Sequence, residues 1–292
     1  MTAQTASDAD RRRRFAVAIS LAAAAVFSTA GLFARSIDAD PWAINFWRAF
    51  FAGLFTLALV AARGGLKREF AQMGLAGLGI GAVSAAASAC FIPALKFTTI
   101  ANVALIYATT PFLAAFGAWA WYRERPRPAV LAAGATALAG AALIVGDSLG
   151  GAHWTGDVLA VAMTVLFSAV SVLYRRFPST PAWGPTALSS FLLLAPGLTF
   201  GDPLHVAPSG ILLLCLWGAL YGASTVAFAE GARHLPPSEA ALISSMETPL
   251  APLWAWLAFS EAPSRAAMVG GGMILAAIIG SQWGAWRAPD PD

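Results

Sequence analysis

Residues 101–114 read Ala-Asn-Val-Ala-Leu-Ile-Tyr-Ala-Thr-Thr-Pro-Phe-Leu-Ala, and residues 239–252 read Glu-Ala-Ala-Leu-Ile-Ser-Ser-Met-Glu-Thr-Pro-Leu-Ala-Pro. Both stretches contain an apolar run that leads into a proline, at Pro111 in the first and at Pro249 in the second. A pair of tryptophans and then a glutamate follow each stretch. This shared order predicts an internal repeat in which each copy contains one helix interrupted by a proline.

The composition of the chain places both stretches in a lipid bilayer. Of the 292 residues, 58% are hydrophobic and only 11% are charged, whereas an ordinary soluble domain carries about 25% charged residues. Too few charges remain to coat a soluble globule, and disorder requires low hydrophobicity. Segments of alternating hydrophobicity, which a β-barrel needs, do not occur. We therefore predict an all-α integral membrane protein.

Ten apolar segments are long enough to cross a bilayer, and proline, glycine or charged residues separate them. They lie at 15–37, 42–62, 71–95, 99–121, 128–146, 156–174, 183–201, 209–232, 237–259 and 265–286. The run Arg11–Arg14 before the first segment resembles a secretory signal. The apolar run that follows these arginines is long enough to span a bilayer. We therefore interpret this apolar run as the first transmembrane helix rather than as a cleaved signal.

The basic residues predict the orientation of these ten helices. With the N-terminus inside, fourteen of the eighteen Arg and Lys residues fall in loops on the inner side. Positive charge marks cytoplasmic loops, so we predict a multi-pass protein of the bacterial inner membrane with both termini cytoplasmic. This role explains the net charge of +3 without a nucleic-acid partner.

Five helices in each half give the two halves opposite orientations in the membrane. We predict tails at 1–14 and 287–292, a first repeat at 15–149 and a second at 150–286. Inverted repeats of this kind are typical of secondary transporters, whose substrate site lies between the halves near the midplane. We expect a central cavity lined mainly by helices 1, 3, 4, 6, 8 and 9.

Two further stretches resemble a known family. They are Asn45-Phe-Trp-Arg-Ala-Phe-Phe-Ala52 and Glu247-Thr-Pro-Leu-Ala-Pro-Leu-Trp254. With the two halves they resemble the drug/metabolite transporter superfamily in its ten-helix form of two EamA-type repeats. The overall pattern is similar to YddG-type aromatic amino-acid exporters. The resemblance implies a transporter, not an enzyme, that exports small metabolites by alternating access, with aromatic or apolar amino acids as substrates.

An ionisable residue near the midplane is the first candidate for substrate binding. Glu247 lies about ten residues into the ninth helix, roughly 15 Å deep. A buried carboxylate there is costly and marks either a functional group or a hydrogen-bonded structural one. It could hold a substrate ammonium, and Ser244 shares its helix face. Arg48 lies two turns into the second helix, where it could snorkel outward or pair with Asp38 or Asp40. The family resemblance implies that it is a structural polar residue rather than a substrate ligand.

Further candidates for substrate binding are aromatic, hydroxyl and thioether side chains predicted at midplane depth. On the eighth helix Trp217, Tyr221 and Ser224 share one face, an arrangement equally typical of ordinary helix packing. The remaining candidates are Tyr107 on the fourth helix, Ser84 and Ser88 on the third and Met163 on the sixth. Pro93, Pro111 and Pro249 are candidate gating residues, because each removes a helical hydrogen bond.

Other functions remain open on the sequence. One is a proton-coupled multidrug or other metabolite exporter in which Glu247 carries the proton. A remote one is an intramembrane hydrolase, suggested by Gly146-Asp-Ser-Leu-Gly150 and by Ser224 with His234, although neither lies in a strand–turn–helix elbow.

The sequence contains no sign of a cofactor site, since neither Cys90 nor Cys215 belongs to a metal or redox motif. We expect no cofactor, a small-molecule substrate and a functional monomer.

Overall fold

The computed structural model describes residues 3–123, 128–147, 151–177, 179–232 and 247–287, and every regular element in these ranges is helical. The helices of the first half are α1 (Ala3–Ser28), α2 (Ala30–Ser36), α3 (Pro41–Ala62), α4 (Leu66–Phe97), α5 (Ile100–Tyr107), α6 (Thr110–Tyr122) and α7 (Pro128–Asp147). The second half contains α8 (Trp154–Arg176), α9 (Trp183–Leu192), α10 (Leu194–Phe200), α11 (Pro208–Ala232), α12 (Glu247–Phe259) and α13 (Arg265–Arg287). Each of the ten predicted segments therefore coincides with helix wherever it is described.

Within the described residues, three of the ten segments are built from two helices each. The first breaks between α1 and α2, the fourth between α5 and α6, and the seventh between α9 and α10. The break in the fourth segment directly precedes Pro111, which lies in the first turn of α6. The interruption expected at this proline is therefore a full break, at which α5 ends and α6 begins.

Six helical stretches of the described residues are long and apolar enough to cross a membrane. They are Arg14–Ser36, Pro41–Ala62, Leu66–Phe97, Ile100–Trp121, Trp154–Tyr174 and Pro208–Thr225. Three shorter apolar stretches are Leu131–Asp147, Leu250–Phe259 and Arg265–Gly280. The bundle surface suits lipid, since large apolar side chains such as Leu75 and Leu212 are 87% and 71% exposed.

Two helix starts differ from the expected ones. Helix α1 begins at Ala3 and runs through the arginine run, so the predicted tail is already helical. Helix α4 begins at Leu66 rather than at residue 71, and a kink at Gly74 separates its first two turns from the rest. Gly74 has φ 54°, a conformation that other residues rarely adopt. Of the ninth predicted helix, residues 237–246 lie outside the described ranges.

Side-chain caps explain where two of the helices begin. The Asp40 carboxylate accepts hydrogen bonds from the backbone N–H groups of Trp42 and Ala43, both at 2.9 Å, and Pro41 occupies the first helical position. The hydroxyl of Thr99 caps α5 through the N–H of Asn102 at 3.0 Å. The Asp-Pro and Thr residues in these loops thus act as helix start signals.

Glycines allow the fifth and tenth predicted helices, α7 and α13, to touch through their backbones. A Cβ atom added at Gly140 would lie 2.5 Å from the carbonyl oxygen of Gly270, and one added at Gly270 would meet the carbonyl of Gly140. Small residues at helix crossings are how membrane helices pack closely without a hydrophobic driving force.

We expect Gly140→Ala to destabilise the protein, because the methyl group would push against the backbone of α13. Overpacking of this kind costs about 1–3 kcal/mol, so the melting temperature of the detergent-purified protein should fall by several degrees. The matched control is Gly146→Ala in the same helix, where an added Cβ meets nothing within 4 Å. Equal melting temperatures for the two variants would contradict the close contact.

Candidate functional site

A cavity of about 510 Å³ lies inside the bundle. All six helices expected to line it contribute residues, and the second and tenth helices add Arg48 and Ile278. The wall draws on both halves of the chain, as the inverted repeat predicts. Its volume falls in the range of small-molecule sites.

The wall of the cavity is mainly apolar and aromatic. Two aromatic pairs stand in it: Tyr107 against Phe167, with ring centroids 5.9 Å apart, and Phe27 against Tyr221, 5.4 Å apart. Other apolar members of the wall are Phe91, Leu95, Ile100, Val103, Phe112, Met163 and Ile278. Such a surface favours a ligand with an aromatic or aliphatic body.

The polar groups of the wall are few, and two of them are charged. Glu247, at the start of α12, is one, and Arg48 of α3 is the other. Hydroxyls come from Ser28, Ser88, Tyr107, Thr110, Tyr221 and Thr248. No ion pair joins Arg48 to Glu247, although both are described and face the same cavity.

The predicted site residues separate into a group at the cavity and a group elsewhere. Lining the cavity are Glu247, Tyr221, Tyr107, Ser88, Met163 and Pro111. Away from the wall are Trp217, Ser224, Ser84 and Pro93, the first two buried in α11. Ser244 lies outside the described residues, as do Ser148 and His234 of the hydrolase alternative. Pro249 is in the first turn of α12.

Trp217 is packed behind the wall rather than displayed on it. Its side chain is only 2% exposed, and its ring stacks on Phe33 with centroids 5.5 Å apart and planes 9° apart. The guanidinium carbon of Arg48 lies 5.5 Å from the Trp217 ring and 5.8 Å from the Tyr221 ring. Arg48, which lines the cavity, is therefore held against Trp217 and Tyr221 by cation–π attraction.

Sequence reasoning missed a network at one end of the bundle. This outer end, predicted to lie outside, contains the α2–α3, α4–α5 and α12–α13 links. Arg35 donates hydrogen bonds to the carbonyl oxygens of Leu95 (2.8 Å) and Thr98, and lies 3.9 Å from Glu261. Glu261 also accepts a hydrogen bond of 3.0 Å from the N–H of Ile100. Because Leu95 and Ile100 both line the cavity, the network ties its outer wall together.

A second missed cluster lies beside this network. Asp157, in the first turn of α8, is fully buried and accepts hydrogen bonds from the Thr98 hydroxyl at 2.6 Å and from the Asn102 amide at 3.1 and 3.2 Å. An acidic residue in a first helical turn has an ordinary explanation in the helix dipole, so the sequence gave no reason to single it out. The three side chains connect α8 to the start of α5.

Comparisons with known proteins agree with this architecture. A sequence model of the EamA-like transporter family matches residues 14–146 and again residues 154–282. A riboflavin transporter of Rhizobium johnstonii is 27% identical over a 250-residue alignment that covers 80% of this chain and 78% of that protein. A crystal structure at 22% identity superposes with a TM-score of 0.65 over 94% of this chain and 100% of its own.

We expect Asp157→Ala to destabilise the bundle, because it leaves the buried Thr98 hydroxyl without its acceptor and the Asn102 amide with only a long 3.3 Å bond to Thr98. An unsatisfied buried donor costs about 1–3 kcal/mol. The measurement is the melting temperature of the purified protein, and the control is Asp147→Ala, which removes an exposed carboxylate that accepts one bond from Ser264. A melting temperature as high as that of the control would contradict a structural role for the buried cluster.

Proposed function

The chain belongs to the EamA-like transporter family, and from this membership we propose that it exports amino acids with aromatic or apolar side chains. The proposal places the protein in the bacterial inner membrane with both termini cytoplasmic and its repeats at 15–149 and 150–286. The observation that carries it is the cavity of about 510 Å³ between the halves, with aromatic walls and a carboxylate.

The composition of the cavity supports this substrate class. Its aromatic pairs suit the side chain of phenylalanine or tryptophan, and the Glu247 carboxylate supplies an anchor for an ammonium group. Among the described residues the wall contains one basic side chain, Arg48, rather than the cluster of cations that several phosphate charges call for. Nucleotide sugars and sugar phosphates therefore fit poorly.

The outer network supports alternating access as the mechanism. Arg35 and Glu261 hold together links from both halves at the outer wall, so this wall opens only when their bonds break. The helix end before Pro111 gives α6 a point at which it can move relative to α5. In this proposal the network closes the outer gate, and Pro93, Pro111 and Pro249 serve the gating movements.

Two other substrate assignments have their own support. A flavin is one, because a relative is named a riboflavin transporter and because a flat ring system suits aromatic walls. The other is a lipophilic drug or other metabolite exchanged for protons, for which Glu247 would be the carrier. Both place the ligand in the same cavity and differ from the main proposal in the polar group they need.

Counterflow in proteoliposomes tests the proposal directly. Vesicles preloaded with an unlabelled compound are offered the labelled one, across a panel of amino acids, riboflavin, a nucleotide sugar and a lipophilic cation. We expect accumulation of labelled phenylalanine or tryptophan. Transport of riboflavin alone would favour the flavin assignment, and failure of every amino acid would overturn the proposal.

We expect Glu247→Gln to lower amino-acid counterflow tenfold or more, because the cavity loses the one carboxylate that the described part of the chain contributes to its wall. Asp147→Asn, which neutralises an exposed acid at the outer end, should transport normally. If the wild type instead takes up substrate in response to a proton gradient, and transport by Glu247→Gln is independent of pH, then Glu247 is a proton carrier. Unchanged transport at every pH would exclude Glu247 from the site.

We expect Arg35→Gln to expose the cavity to the outside, because it removes the ion pair with Glu261 and weakens the bonds to Leu95 and Thr98. The measurement is the labelling rate of Ala104→Cys, a cavity position, by an impermeant maleimide, after both native cysteines have been replaced. A severalfold faster rate is expected. The control is Arg265→Gln, which removes an exposed arginine from the same end, and equal rates in the two variants would contradict the gate.

A further inference from the structure

We propose that Arg48 binds the carboxylate of the substrate, so that the cavity recognises a zwitterion between Arg48 in the first half and Glu247 in the second. This inference rests on the proposed amino-acid substrate and assigns its anionic end. It differs from the role of a purely structural residue that the family resemblance implies for Arg48.

The hydrogen-bonding state of Arg48 is the first reason. The residue is 5% exposed, and one terminal nitrogen donates to the Asn45 side chain at a long 3.3 Å. Its Nε is buried and has no hydrogen-bond partner among the residues that the structure describes. A guanidinium carries five N–H donors, and burying its charge without acceptors is costly. Since Arg48 lines the cavity, an anion bound there would provide the missing acceptors.

The surroundings of Arg48 hold the guanidinium in place without neutralising it. The rings of Trp217 and Tyr221 lie 5.5 and 5.8 Å from its central carbon and attract the charge through their faces. Such faces leave the in-plane N–H donors available. Asn45 is itself oriented by a 3.4 Å bond from its amide to the carbonyl of Ala89, which directs its oxygen toward Arg48. A carboxylate would therefore meet a positioned donor group.

The charges of the cavity wall specify the ligand class. Arg48 and Glu247 are its only charged members within the described residues, and they do not pair with each other. A ligand with one negative and one positive group satisfies both, whereas a simple amine or a simple carboxylate leaves one of them without a partner. Because Arg48 lies on α3 and Glu247 on α12, such a ligand also bridges the two repeats.

The test compares three probes of similar shape: phenylalanine, phenylalaninamide, which lacks the carboxylate, and 3-phenylpropionate, which lacks the ammonium. We expect wild-type counterflow to favour phenylalanine over the amide by tenfold or more. In Arg48→Gln this ratio should fall toward one, mainly through loss of phenylalanine transport. In Glu247→Gln the preference over 3-phenylpropionate should fall instead, which makes it the matched control.

A structural arginine would give a different pattern. Arg48→Gln would then lower transport of all probes equally and leave the ratio unchanged, and that result would overturn the inference. If Arg48→Gln does not fold, Arg48→Lys keeps the charge without the planar set of donors, and the ratio should fall partway. An unchanged ratio in a folded Arg48→Lys would equally overturn it.

A binding measurement on the wild type separates this inference from the proposed function. The melting temperature of the purified protein is recorded with 3-phenylpropionate and with phenylalanine. If no amino acid is transported, the proposed function fails, yet stabilisation by 3-phenylpropionate that Arg48→Gln abolishes would still support an anion site. No stabilisation by 3-phenylpropionate or phenylalanine would exclude carboxylate binding at Arg48.

Discussion

The interior of a bilayer offers no water to a polar group, and the arrangement of this protein follows from that constraint. Each helix break inside the membrane needs local partners for the backbone groups it releases. At the break of the first segment, Ser28 and Thr29 donate to the carbonyls of Ala25 and Val26 at 2.7 and 2.6 Å. At the break of the fourth, Thr109 donates to the carbonyl of Ile106 at 2.7 Å, and Thr110 to that of Tyr107 at 2.5 Å. The cavity is built where these breaks occur, since irregular backbone at membrane depth is tolerated next to protein or a cavity.

The same constraint sorts the buried charged groups into two kinds. Asp157 and Arg35 are each surrounded by hydrogen-bond partners from other segments, so their charges fix the relative positions of helices. Arg48 and Glu247 face the cavity without each other as partners. A membrane protein maintains such groups at a cost in stability, so their presence on one wall is stronger evidence of a ligand than their residue types alone.

Local and periodic features made most of the fold predictable. Ten apolar runs, their proline and glycine breaks and the repeat around Pro111 and Pro249 are visible in the sequence, and helix is found in each described segment.

The lining of the candidate site was only half predictable from the sequence. Tyr107, Tyr221 and Glu247 were expected there from depth and residue type, and they line the cavity. Depth does not tell which way a helix face turns, and Trp217, expected beside them, packs against Phe33 and Arg48 instead. The outer network could not be predicted from the sequence, because its partners are far apart in the chain and two of them are backbone atoms. These partners are Arg35, Glu261 and the carbonyl groups of Leu95 and Thr98.

The balance between the two gate states determines whether such a cavity can transport. The outer closure consists of few polar bonds, each worth about 1 kcal/mol net, so the free-energy difference it adds between closed and open states is small. A ligand moves an equilibrium only by its differential affinity for the two states. A small free-energy difference between the closed and open states is therefore one that substrate binding can overcome. A substrate held at one end by the first repeat and at the other by the second gains both contacts only when the repeats are correctly spaced. Under the proposal that Arg48 and Glu247 bind the two ends of the substrate, their separation onto different halves makes substrate binding depend on the relative position of the repeats, which is the coordinate that alternating access changes.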